Sequence, residues 1–226
     1  MTNILKHEYE TIEGRIRNER QMDLSICNLD SANYDGDVLL FGQYNNRYIN
    51  YFVPYGVYLL ILLLGVILFS KGNQSEKTVE KKSLLLYISF IPAVATFFVA
   101  FLPTLSQMTG NLLALTVVYA IINGTLEELF WRYTFNKVFD GKLVFSYVIP
   151  TIIFTCWHFA LVFANGITYH GGMVALVGGA GFMGALWGFV MYKTRNIKVL
   201  VLAHVCTNFF AFSQLIVQNF GVLINK

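Results

Sequence analysis

The sequence predicts an all-α fold: a polytopic membrane helix bundle of about six transmembrane helices behind a polar N-terminal extension. Three observations carry this. Only 13% of the 226 residues are charged, against about 25% in soluble domains. Hydrophobic residues reach 56% and the mean hydropathy is +0.56, too apolar for an ordinary water-facing surface. From Tyr51 onward, apolar stretches recur at close to the ~20 residues that cross a bilayer, with short polar loops between them. The same composition excludes other classes. A net charge of +3 is too small to mark a nucleic-acid binder. Three cysteines (Cys27, Cys156, Cys206) make no disulfide framework.

Residues 1–50 read as a polar N-terminal extension, charged from its first turn and therefore no signal peptide. Its first 20 residues suit a charged helix and 23–37 an acidic loop, with no recognisable chemistry. Residues 51–226 read as the transmembrane domain, with its motifs in 111–220. Six spans are expected, at 51–70, 84–104, 111–139, 143–164, 172–192 and 198–220. Pro54, Pro92, Pro103 and Pro150 lie in or near them, where proline is tolerated. In the fifth, Gly184 and Gly188 form a small-xxx-small pair suited to close helix approach.

Loop charge sets the expected orientation. Lys71, Lys77, Lys81 and Lys82 follow the first span, Lys137 and Lys142 the third, Lys193 and Arg195 the fifth. The alternate loops, "LSQMTG" and "NGITYHG", hold no Lys or Arg. The positive-inside rule makes the basic loops cytoplasmic, which with six spans leaves both termini outside.

Apart from cysteines, tyrosines and lysines at span boundaries, ionisable side chains within the spans are few: Glu127, Glu128, Arg132, His158 and His204. Each charge at a helix centre costs about 2.5–3.5 kcal/mol on insertion scales, so such residues are functional candidates by default. A structural ion pair or a snorkelling arginine is the competing reading for Arg132. Glu128 and Arg132 stand at i and i+4 on one helical face. Glu127 lies about 100° round the axis and is left without that partner, free to point into the bundle. A partly desolvated carboxylate suits a general base.

Phe154 with His158, and His204 with Asn208, also share faces at i, i+4. Singly, a membrane histidine reads more readily as a helix–helix hydrogen-bonding residue. Cys156 and Cys206 each lie two positions from a histidine, about 200° round the helix, which disfavours a Cys–His dyad. At 1.5 Å per residue, Glu127 lies roughly 18 Å from the basic-loop side, His158 roughly 23 Å, His204 roughly 9 Å and Asn208 roughly 15 Å. Three helices are thus expected to present acid, imidazoles and amide at overlapping depth, reached from the basic-loop half.

"EELFWR" at 127–132, "FTCWH" at 154–158 and "HVCTN" at 204–208 resemble, in order, the three motifs of the CAAX prenyl protease type II and bacteriocin-processing family (CPBP, Abi). The resemblance covers about the last half of the chain; residues 1–50 match nothing in the family pattern. It implies intramembrane peptide-bond hydrolysis, with Glu127 and His158 activating water, His204 and Asn208 stabilising the oxyanion, and Glu128 and Arg132 in support. No cofactor is favoured. The alternative is a zinc site on Glu127, His158 and His204, although no HExxH is present and Arg132 disfavours a cation. The expected partners are the lipid bilayer and a hydrophobic peptide or membrane-associated protein tail, as in bacteriocin maturation, self-immunity or peptide signalling. The expected location is a bacterial plasma membrane. Two rivals stand beside this: a non-catalytic membrane scaffold or immunity protein of the same fold, and a proton-coupled transporter using Glu127 and His158 as a relay.

Overall fold

The computed structural model describes residues 47–70, 83–139, 142–162 and 167–224. The expected extension lies outside them up to residue 46, as do Cys27 and the four lysines of the first basic loop. The described chain is helical, with no strand: α1 is Arg47–Phe69, and α2 (Leu84–Gln107), α3 (Gly110–Val138), α4 (Val144–Leu161) and α5 (Gly172–Thr194) follow. The last helix, α6, is Ile197–Ile224. Among the described residues, six helices are long and apolar enough to cross a membrane, and their limits fall within three residues of those read from the sequence.

The outward faces are apolar. On α1, Val53, Val57, Leu60, Ile61 and Leu68 are all more than half exposed, a surface suited to lipid chains. Polar side chains point inward instead, and α3 and α6 are the most buried helices. Those two pack on each other at short range because Gly124 has no side chain. A Cβ there would meet the backbone nitrogen of Val205 at 3.0 Å. The pair Gly184 and Gly188 does the same for α5 against α4, where added Cβ atoms would lie 3.2 Å from Phe154 and 2.7 Å from Tyr147. The close approach expected of this pair is present, and α4 is the neighbour.

Three helices carry π turns, and two of these have an evident cause. Phe97–Phe101 precedes Pro103, and Val144–Val148 precedes Pro150. A proline ring clashes with the carbonyl four residues back, which in each case falls inside the widened turn. The third, Glu128–Thr134, contains no proline and lies on the first motif. Such turns recur at functional sites.

The basic ends gather at one end of the bundle. Lys137 donates to the carbonyl of Ser70 after α1, and Arg195 reaches the carbonyl of Asn136 at 3.5 Å. Arg195 itself adopts a left-handed backbone (φ 56°) that turns the chain from α5 into α6. At the other end, Asn219 of α6 clamps Thr168 in the α4–α5 loop through both its N–H (2.8 Å) and its carbonyl (2.9 Å).

Candidate active site

α1 and α3 each carry a ladder of polar side chains at helical spacing, and the two ladders face each other. Tyr51 meets Tyr119 hydroxyl to hydroxyl, and Tyr55 donates to the side-chain carbonyl of Asn123. Tyr58 donates to Oε1 of Glu127 at 2.8 Å. Asn123, four residues before Glu127 and so on its face, donates from Nδ2 to Oε2 at 3.1 Å. Glu127 is only 2% exposed, yet both its oxygens are satisfied.

The second glutamate belongs to a different cluster. Oε1 of Glu128 accepts from His204 Nδ1 of α6 at 2.8 Å and lies 3.4 Å from Arg132 Nη1. The ion pair read from i, i+4 spacing is therefore present, and it has a third member. The Arg132 guanidinium also sits 4.3 Å over the Phe154 ring, a cation–π contact in a desolvated setting. With Nδ1 committed to Glu128, His204 turns Nε2 to Oε2 of Glu127, 3.4 Å away. The indole of Trp187 packs against its ring at 4.3 Å between centroids. His204 thus links the two glutamates, each through a different nitrogen.

His158 comes from α4. Its Nδ1 lies 2.8 Å from the carbonyl oxygen of Phe154. A carbonyl can only accept, so Nδ1 carries a proton, and in the neutral imidazole Nε2 keeps its lone pair. Asn208, one turn beyond His204, is 5% exposed, and its Nδ2 has no hydrogen-bond partner. Glu127, His158, His204 and Asn208 all line one cavity of about 600 Å³ with mainly apolar walls. Arg132 and Glu128 do not line it.

The cavity does not run the way the depths suggested. It continues from Glu127 past Tyr119 and Gln214 to Tyr51, Tyr169 and His170, at the end opposite Lys137 and Arg195. Packing explains the difference. Towards the basic end, the bundle is closed by the Glu128–Arg132–His204 cluster and by Trp187, which donates to the carbonyl of Ser89 on α2 at 2.8 Å.

Residues 109–210, from the start of α3 well into α6, match the family model described as Type II CAAX prenyl endopeptidase Rce1-like. This segment is similar to the CAAX protease family. No curated protein and no solved structure matches the chain. The CAAX-type segment contains every residue singled out from the three motifs, in a multi-pass helical membrane protein.

Spacing alone leaves Glu127 unpartnered, and the structure corrects this: Tyr58, Asn123 and His204 all reach it. Asn123 was legible as the i−4 neighbour of the acid. Tyr58 was legible only as one of three tyrosines at 51, 55 and 58, and α1 lies outside the CAAX-type segment. Neither Cys156, which is exposed, nor Cys206, half-buried, lines the cavity.

The zinc alternative fits this donor set poorly. Among the described residues no three His, Cys, Asp or Glu side chains gather as a metal-ligand group. The Arg132 guanidinium beside Glu128 adds charge of the wrong sign for a cation.

Proposed function

We propose that this protein is an intramembrane glutamate endopeptidase of a bacterial plasma membrane. It hydrolyses a peptide bond in a hydrophobic peptide or membrane-associated protein tail. The observation that carries this is a shared cavity: Glu127, His158, His204 and Asn208, from three helices, all line it.

Each residue then has a step. The Nε2 lone pair of His158 holds a water, and Glu127 takes its proton. The hydroxide attacks the peptide carbonyl carbon, and the carbonyl electrons move onto oxygen. Nδ2–H of Asn208 and Nε2–H of His204 meet that oxyanion, the kind of stabilisation that contributes most to the rate in many acyl-transfer enzymes. As the C–N bond breaks, Glu127 returns the proton to the leaving amine. The assignment needs His204 to carry a proton on each nitrogen, with Glu128 balancing its charge. Arg132 in turn balances Glu128. Glu127, Glu128, Arg132, His204 and Asn208 are all buried, which keeps bulk water from weakening their contacts.

The direct test uses purified protein in lipid vesicles with two internally quenched peptides, one ending in a prenylated CAAX sequence and one hydrophobic but unmodified. Cleavage at one bond of either peptide, unaffected by 1,10-phenanthroline, is expected. Loss of cleavage on chelation, restored by zinc, supports the metal alternative. No cleavage of either peptide favours the scaffold or immunity reading.

A further inference from the structure

Two chains of hydrogen bonds end on Glu127, and their polarity is fixed by chemistry. An indole N–H can only donate, so the 3.0 Å contact between Trp131 Nε1 and the Tyr58 oxygen runs from Trp131 to Tyr58. The phenol has one proton. That proton therefore leaves along the other contact, to Oε1 of Glu127 at 2.8 Å. The second chain is parallel: Tyr55 donates to Oδ1 of Asn123, which orients the amide so that Nδ2 donates to Oε2 of Glu127 at 3.1 Å.

Tyr58 is held from the side as well. Its ring stacks on Trp157 of α4, 3.8 Å between centroids and 11° between planes, one residue before His158. Tyr58 is 5% exposed and does not line the cavity, whereas Tyr51 and Tyr55 do. Its hydroxyl therefore has no route to a substrate. It can influence a reaction in the cavity only through Glu127.

We infer that Tyr58, supplied by α1 from outside the CAAX-type segment, is a positioning residue that fixes the Glu127 carboxylate through a one-way donor chain from Trp131. This rests on the reading of Glu127 as the base. Tyr58 holds Oε1 and Asn123 takes one lone pair of Oε2 at 3.1 Å, which leaves the second lone pair of Oε2, on the His204 side at 3.4 Å, to take the proton. The first helix is thereby part of the reaction centre, rather than only a wall beside it.

The test measures kcat and KM on whichever of the two quenched peptides the unaltered protein cleaves in lipid vesicles. Tyr58→Phe keeps the ring and its stack on Trp157 and removes only the hydroxyl. Losing a hydrogen bond to a charged group is expected to lower kcat by about ten- to a hundredfold, with KM within about twofold and a modest fall in melting temperature from the partners left unpaired. Trp131→Phe is expected to cost less, and the double variant to match Tyr58→Phe alone, because Trp131 acts through Tyr58. Multiplying losses in the double variant, an unchanged kcat in Tyr58→Phe, or a loss confined to KM and melting temperature would each overturn the inference. Glu127→Gln in the same assay separates the two ideas. If it cleaves normally, the base reading has failed. If it is inactive while Tyr58→Phe is normal, only the positioning role has.

Discussion

Glu128 and His204 meet across the interface of α3 and α6, Oε1 to Nδ1 at 2.8 Å, with Glu128 fully buried and His204 2% exposed. The contact joins the first motif to the third. It also sets which nitrogen of His204 is left to face Glu127.

Removing Glu128 should therefore damage stability and cleavage separately. Glu128→Ala leaves Arg132 buried and unpaired, a loss of about 3–5 kcal/mol when one member of a buried pair goes. Replacing both members, Glu128→Met with Arg132→Met, should recover most of that stability, since apolar residues of similar volume often substitute well for a buried pair. Cleavage should not return, because His204 still lacks the group that orients it. Denaturation in mixed detergent and turnover on the same preparation check the two halves.

How much of this was legible in the sequence follows from which distances are local. Glu128 with Arg132 is an i, i+4 relation, so spacing alone fixed it, and the span limits followed from length and apolarity. The Gly184 and Gly188 pair pointed to close packing without naming α4 as the partner. Tyr58 and Glu127 are 69 residues apart, and nothing local reveals that α1 lies beside α3. The direction of the cavity was missed for a related reason. Depth along separate helices says where side chains lie, whereas the bulky Trp187 and the charged cluster decide which end is filled.

Gly124 gives a packing test. A Cβ there meets the α6 backbone at Val205 at 3.0 Å, and backbone yields less readily than a side-chain tip. Gly124→Ala should gain helix propensity of about 1 kcal/mol and lose about 1–3 kcal/mol to overpacking, for a lower melting temperature. Because Val205 follows His204, the displacement should also reduce turnover. Gly178→Ala, where a Cβ meets nothing within 4 Å, should be neutral or stabilising. A drop of equal size in both variants would count against the close contact.

Asn208 should show the opposite pattern to Glu128. Its Nδ2 has no partner to lose, so Asn208→Ala should leave the melting temperature unchanged or raised. As an oxyanion donor it should nevertheless carry about 10²–10³ in kcat, with KM little altered. Stability loss without a kcat effect would mark it as a packing residue.

The central claim is that Glu127 is the base. It is met most directly by comparing the unaltered protein with Glu127→Gln in lipid vesicles, following the new amino terminus of a cleaved quenched peptide by mass spectrometry. Glutamine keeps the volume and can still accept from Tyr58, so the fold should hold; its amide nitrogen cannot accept from Asn123, and the melting temperature should fall modestly. Cleavage should fall by at least the ~10²–10⁴-fold attributed to general-base catalysis. Cleavage by Glu127→Gln at the unaltered rate would contradict the mechanism.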